Sequence, residues 1–321
     1  MTEPEQAGTT PVSSAGESAP HHSDPEKGQP AGGVTGGVGF TALAVAAARA
    51  SETVRTDPIC SDPYAEALVA AAGTRLPTRP LSGQEPGWDT ELAGIWDTMA
   101  NHLGLRTRFF DDYLTAAAAA GIRQVVILAA GLDTRAHRLD WPGGTTVFEL
   151  DQPRVLEFKD HVLRAQPGCE RITVPVDLRE DWPAALRAAG FDPAAPTAWL
   201  AEGLLRYLPG AAVRELFARI TELSAPGSRL GVNETRDESW HPRLQHFFAH
   251  FGLDPSALRH VESARPQVAT WFPAHGWQTP ALVTGRELAE RHLRALPAEA
   301  DDWFAAHSDY YTTRLPGRDE Q

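Results

Sequence analysis

The run Val125-Val126-Ile127-Leu128 contains no polar residue and is followed at once by the small residues Ala129-Ala130-Gly131. A short apolar run closed by glycine reads as a strand buried on both faces, the pattern of a parallel sheet. A second run, Thr146-Val147-Phe148-Glu149-Leu150, stops on Asp151. The pattern recurs, and strands are expected at about 125–130, 145–150, 172–176, 197–201 and 228–233. Between them the sequence predicts helices at about 153–165, 181–189 and 210–224. Pro209-Gly210 opens the last helix, and Ala225-Pro226-Gly227 is a turn before the fifth strand. Alternating strands and helices imply a parallel sheet with right-handed crossovers.

Upstream the pattern is different. Residues 1–36 have almost no large apolar side chains, so they cannot offset their ordering entropy and are expected to form a disordered tail. Thr41 to Glu52 is an Ala-rich helix former. Asp57-Pro58 and Asp62-Pro63 each carry a helix-start signal, the second leading into Tyr64 to Ala72. Residues 73–88 are rich in Gly and Pro and read as a loop. From Leu92 to Ala120, the residues Ile95, Met99, Leu103, Phe110 and Leu114 fall at mixed three- and four-residue spacing, another helix. Residues 37–120 are therefore expected to form a helical N-terminal lid over a Rossmann-like core at 121–321. A polar, aromatic, His-rich insertion at about 235–274 would cap that core. A strand at 277–283, a helix at 285–295 and a short strand at 310–314 close the chain.

Composition narrows the function. With 321 residues, 42% of them hydrophobic, the chain can bury one large α/β core. A net charge of −13 and a pI near 5.4 argue against nucleic-acid binding, which needs clustered Lys and Arg. They argue more weakly against an anionic membrane surface. No segment approaches the ~18 apolar residues of a membrane span, and the N-terminus lacks a basic n-region. Cys60 and Cys169 are far apart without metal spacing, as expected of reduced thiols in a cytoplasmic protein.

The candidate chemistry lies at the strand ends, where open parallel sheets bind ligands. The first strand ends in Ala129-Ala130-Gly131 and then Asp133, the second in Asp151, the third in Asp177-Leu178 and the fourth in Ala201-Glu202-Gly203. Any one carboxylate could be a helix N-cap, but four on consecutive strand ends are hard to explain as packing. A pyrophosphate-binding turn would carry several glycines. Here there is one, with Asp133 where an anion would sit, so the turn suits a cationic or polyol ligand. S-adenosyl-L-methionine has a sulfonium, an ammonium and no phosphate. A nicotinamide-dependent oxidoreductase fits less well because the pyrophosphate loop is missing.

The segments ILAAGLDTRAHRL, FELDQPRVLEFK, VDLREDW and AEGLLRYLP, with TALAVAAARA, RTRFFDDYL, APGSRL and HGW, resemble the leucine carboxyl methyltransferase family over about residues 38–315. The closer likeness is to its bacterial branch of S-adenosyl-L-methionine-dependent O-methyltransferases. The resemblance implies a class I methyltransferase fold: a Rossmann-like seven-stranded sheet, last strand antiparallel, with a helical lid and an insertion after strand five. It also implies site roles. Arg106, or Arg108 close behind it, would bind the cofactor carboxylate. Ala129 to Gly131 would face the cofactor, with Ala129 where eukaryotic members usually have Gly, so φ is expected to stay negative there. Asp151 would hold the ribose, Asp177 and Leu178 the adenine, and Glu202 the ammonium. Arg49 would be a lid contact.

For the methyl acceptor, a carboxylate is ionised at neutral pH and needs no base, whereas a phenol would benefit from one. Tyr207, His246 and His250 are the candidate acceptor-pocket residues, and Phe247, Phe248 and Phe251 either line that pocket or form the core of the insertion. His246 and His250 stand one helical turn apart without a third ligand, so no metal is expected. The expectation is methylation of a small-molecule carboxylate or phenolic hydroxyl, in secondary metabolism. The alternatives are a protein C-terminal carboxyl methyltransferase and a cofactor-binding protein without catalysis.

Overall fold

The computed structural model describes residues 38–81, 88–236, 242–251, 265–294 and 306–317. All of them belong to the compact unit Gly33–Gln321. The expected tail at 1–36 lies outside the described residues, as do His241 and 252–264 of the expected insertion.

The strands are β1 (Gln124–Leu128), β2 (Thr146–Asp151), β3 (Glu170–Pro175), β4 (Thr197–Ala201), β5 (Arg229–Thr235), β6 (Ala281–Thr284) and β7 (Ser308–Arg314). They form one seven-stranded sheet in the order β3-β2-β1-β4-β5-β7-β6. β1 to β5 pair in parallel, while β7 runs antiparallel to both β5 and β6. The class I methyltransferase architecture expected from sequence is the one observed.

The period of two along each strand sorts the core onto two faces. Val126, Leu128, Phe148, Leu150 and Trp199 pack on one side with Trp182 and Phe217. Val125, Ile127, Val147, Ala198 and Leu200 pack on the other with Phe110 and Leu114. Burial on both faces is why β1 and β4 show no alternation in sequence. β1 pairs with β2 on one edge and β4 on the other, so the strand order reverses there and leaves a crevice beyond the strands' carboxyl ends.

Helices α1 (Val38–Thr53), α2 (Ala65–Ala71) and α3 (Thr90–Ala119) precede the sheet. Asp89 caps α3 by accepting the Leu92 N–H at 2.8 Å. The far half of α3 packs on the sheet, and the Tyr113 hydroxyl donates to the Trp199 carbonyl at 3.0 Å. The near half packs on α1, where Ala44, Ala46, Ala47 and Ala48 let the helices approach closely around Leu43, Trp96 and Met99. The remaining helices are α4 (Arg135–Arg138), α5 (Pro153–Val162), α6 (Trp182–Ala188), α7 (Gly210–Glu222), α8 (Pro242–His250), α9 (Val268–Ala274) and α10 (Gly285–Arg291).

Two expectations change. Asp57-Pro58 starts no helix, because side chains take the local backbone: Ile59 N–H donates to Glu52 Oε1 at 2.8 Å, Asp62 N–H to Thr53 Oγ1 at 2.8 Å, and Arg294 to the Asp57 carbonyl at 2.7 Å. The strand expected from 277 begins only at Ala281, since the Trp277 N–H is used by the Phe272 carbonyl (3.0 Å) and its ring is buried beneath Phe272.

Candidate active site

A cleft of about 580 Å³ opens at the carboxyl ends of β1, β2 and β4, within the size range of small-molecule sites. The sheet side supplies Ala129 to Asp133, Asp151, Gln152, Asp177, Leu178 and Glu202 to Leu205. Helices supply the opposite wall: Thr41, Val45 and Arg49 from α1, Met99, His102, Leu103 and Arg106 from α3, and Phe248 from α8. Tyr207, in the 3-10 turn Leu205–Tyr207, also lines it.

The turn after β1 is unusual. Ala129 has φ +51°, in the left-handed region, and so does Gly131. The expectation that φ stays negative at Ala129 is therefore overturned. An L-residue there costs about 1–2 kcal/mol, which surrounding contacts must offset. Those contacts are visible. The Ala130 N–H donates to the Leu150 carbonyl at 2.9 Å, Asp133 N–H to the Ala130 carbonyl at 2.8 Å, and Arg49 to the Leu132 carbonyl at 2.6 Å. Gly131 is needed for its φ, while a Cβ there would only come into contact with the Ala42 Cβ at 3.4 Å.

Asp151 closes the turn from the β2 side. Its Oδ2 accepts the Gly131 N–H at 2.6 Å and its Oδ1 the Gln152 N–H at 2.7 Å. Burial raises the pKa of this carboxyl, and the two N–H donors pull it back only in part. Beyond β3, Asp177 accepts Arg179 at 2.6 and 2.9 Å, and these bonds hold its pKa below the ordinary carboxylate range. Leu178 lies beside it in the cleft wall.

Glu202 sits between two guanidinium groups. Its Oε1 accepts Arg106 Nε at 2.8 Å, and its Oε2 accepts Arg135 at 2.8 Å. Gly203, at φ +64°, leaves space for the Arg106 guanidinium, which would lie 3.4 Å from an added Cβ. Arg106 and Arg108 are thereby separated. Two residues on a helix are about 200° apart, so only one can face the cleft. Arg106 does. Arg108 is exposed and pairs with Asp112 at 2.9 Å, so the structure removes it from the candidate cofactor ligands.

Asp133 also needs correction. It lines the cleft, but the charge expected to meet a cationic ligand is taken by Arg135, whose backbone N–H (2.7 Å) and guanidinium both donate to it. Burial opposes the charge of Asp133, yet Arg135, Arg138 and Lys159 outweigh it and hold the pKa at about 2.

Of the acceptor candidates, Tyr207 is in the cleft. His246 and His250 are not: both are exposed on α8, where Phe247 and Phe248 take the buried face against α1 and α3. The three phenylalanines divide, with Phe247 in that core and Phe248 in both the core and the cleft wall. Among the described residues no cluster of His, Cys, Asp or Glu could hold a metal.

Sequence reasoning missed a buried ionic layer beneath the cleft. Asp111 of α3 accepts Arg135 at 2.7 Å and Arg138 at 2.6 and 2.7 Å. Asp62 accepts Arg49 and the Thr134 hydroxyl, each at 2.7 Å. His102, one turn before Arg106 and one of the histidines the sequence offers as a base for a phenolic acceptor, also lines the cleft. Burial first, and then the charges of Arg106 and Arg206, push its imidazole down to about 3, so it is neutral at ordinary pH. The available signal was TRAHR, two arginines three apart directly after a strand-end turn.

Known proteins resemble this chain in sequence. The family model for leucine carboxyl methyltransferase matches residues 42–221. A protein of Mycobacteroides abscessus, named as a candidate S-adenosyl-L-methionine-dependent methyltransferase, is 50% identical over 80% of this chain and 89% of its own. One of the same name from Mycolicibacterium smegmatis is 47% identical over 84% of this chain and 89% of its own. Among solved structures, a candidate methyltransferase from Thermobifida fusca aligns over 85% of this chain and 94% of its own, with TM-score 0.49 and 18% identity.

Proposed function

The chain belongs to the leucine carboxyl methyltransferase family and uses S-adenosyl-L-methionine as methyl donor, and we propose that its acceptor is the carboxylate of a small molecule. The observation that carries this reading is the chemistry of the cleft. Asp151, Asp177, Glu202 and Arg106 converge on it from four separate segments, and His102, the one histidine among the described lining residues, is held neutral by burial.

The cofactor would lie across the strand ends. Asp151 would accept the ribose hydroxyls, and Asp177 and Leu178 would meet the adenine. The methionine end would reach Arg106, which uses Nε for Glu202 and can present its two terminal nitrogens to a carboxylate. Glu202 would receive the ammonium. Arg49 and the cleft-facing residues of α1 and α3 would act as a lid that excludes water.

Methyl transfer from a sulfonium is an in-line displacement: the acceptor oxygen forms the new C–O bond as the C–S bond breaks, and the electron pair stays on sulfur. The leaving group is already good, so the protein's part is alignment and exclusion of water. A carboxylate attacks as the anion it is at pH 7. A phenol, with a pKa near ~10, would need a base. His102 is the one histidine among the described cleft residues, and with its pKa at about 3 it cannot hold a phenolic proton. The wall of Val45, Met99, Leu103 and Phe248 fits an acceptor with an apolar body. A role in secondary metabolism accords with such an acceptor.

The test is transfer of labelled methyl from S-adenosyl-L-methionine to panels of apolar carboxylic acids and phenols. A methyl ester releases methanol in mild base, whereas an aryl ether does not. Base-labile product is expected. Base-stable product alone would overturn the carboxylate reading, and label appearing only in protein would replace it with protein carboxyl methylation.

A further inference from the structure

Arg135 is a single arginine held between three separate parts of the chain. It is 2% exposed and lies in α4, directly below the cleft. Its Nε donates to Asp111 Oδ1 at 2.7 Å and one terminal nitrogen to the Thr107 carbonyl at 3.3 Å, both on α3. The other terminal nitrogen donates to Glu202 Oε2 at 2.8 Å, beyond β4, and to Asp133, in the turn after β1. Arg135 does not line the cleft; Glu202 and Asp133 do.

This arrangement fixes more than Glu202. Arg106 and Asp111 sit on the same helix, five residues apart. By gripping Asp111 and the Thr107 carbonyl, Arg135 sets where α3 stands against the end of β4. Arg106 meets Glu202 at that same junction, at 2.8 Å. Asp111 in turn is held by Arg138, whose Nε donates to Thr134 Oγ1 at 3.1 Å, so the α3 side of the grip is braced from the β1 turn. A planar guanidinium can satisfy carboxylates in several directions at once, which a lysine ammonium cannot do with the same geometry.

We propose that Arg135 is a positioning residue that sets the Arg106–Glu202 pair for the amino-acid end of the cofactor, resting on the cofactor placement given above. It touches neither cofactor nor acceptor. It acts by holding Glu202 and α3 in one register, as supporting contacts must when a binding group has to be placed to a fraction of an ångström.

Two ligands test it. S-adenosylhomocysteine carries the amino-acid end; 5′-methylthioadenosine keeps the adenine, ribose and sulfur but lacks that end. Titration calorimetry is run on the full chain and on Arg135→Lys, with folding checked by circular dichroism. The variant is expected to bind S-adenosylhomocysteine about tenfold or more weakly, the loss of one charge-assisted hydrogen bond, and 5′-methylthioadenosine within about twofold of wild type. Equal weakening of both ligands would mean a general structural role and overturn the proposal, as would unchanged binding of both. If Arg135→Lys does not fold, Asp111→Asn takes its place, since it leaves Arg135 present but removes the charge by which α3 holds it, and the same selective loss is expected. If wild type binds neither ligand, the cofactor placement itself fails, and that outcome is distinct from either result with the variants.

Discussion

Asp151→Asn is the most direct probe of the cofactor placement. Asp151 already accepts two backbone N–H groups, Gly131 at 2.6 Å on one oxygen and Gln152 at 2.7 Å on the other. A carboxylate has about four lone-pair sites, so about two remain for a ribose diol. Asparagine keeps one oxygen and replaces the other with a donor. Whichever way the amide turns, one of the two N–H groups then faces a donor, which costs about 1–3 kcal/mol of stability. The ribose hydroxyls lose a charged acceptor, and charged hydrogen bonds are about twice as strong as neutral ones. A loss of about 1–2 kcal/mol in binding follows, or about 5- to 30-fold in affinity. Calorimetric titration with S-adenosylhomocysteine and with 5′-methylthioadenosine reads this directly. Both ligands contain the ribose, so both are expected to weaken by the same factor, unlike the selective loss expected at Arg135. Affinity within twofold of wild type in a folded Asp151→Asn variant would refute the reasoning, because the ribose would then rest elsewhere.

Two further outcomes follow from backbone and charge. Ala129→Gly removes about 1–2 kcal/mol of left-handed strain and adds about 0.4–1 kcal/mol of chain entropy to the unfolded state, so the melting temperature is expected to hold or rise by up to ~3 °C; a fall of more than ~3 °C would show that φ +51° is not strained there. Glu234 accepts the Val268 N–H at 3.2 Å, and burial, reinforced by Asp309, raises its pKa to about 7. A raised folded pKa means that its contribution to stability is full below the ordinary value of 4.5 and is lost as pH rises through about 7. Denaturant unfolding between pH 5 and pH 8 is expected to show that decline in wild type and less of it in Glu234→Gln, and equal slopes would contradict the assignment.

The sheet and its strand ends were legible because their signals are local. An unbroken apolar run such as Val125 to Leu128 and a carboxylate at its end are adjacent in sequence, and the parallel sheet then brings Asp151, Asp177 and Glu202 to one edge. The ionic layer was less legible: the pair of arginines in TRAHR marks a place where charge gathers, but nothing in the sequence names their partners. Arg135 finds Asp111 24 residues earlier and Glu202 67 residues later, and only the fold makes them neighbours. The backbone at Ala129 was misjudged for a related reason. Alanine argues locally for negative φ, and the hydrogen bonds that hold it at positive φ come from Arg49 on α1 and from the end of β2.

The same distinction explains why the strand-end side of the cleft was legible in the sequence and its helical wall was not. The carboxylates proposed for the cofactor stand on strand ends, where the sheet's register repeats a simple rule. The wall proposed for the acceptor is assembled from helices: Val45 from α1, Met99 and Leu103 from α3, Phe248 from α8, joined by Tyr207 after β4. Each of these is also part of, or packed against, the buried cluster between α1 and α3. A side chain that both fills a core and faces a cavity carries one hydrophobic signal for two roles. His246 and His250 drew attention because histidine looks like chemistry, whereas on α8 the buried face belongs to the phenylalanines beside them. With the acceptor placed against this wall as proposed, its choice would be set by the shape of a helix–helix interface, and substitutions at Met99, Leu103 or Phe248 would act on the packing of the helical wall and on the acceptor pocket together.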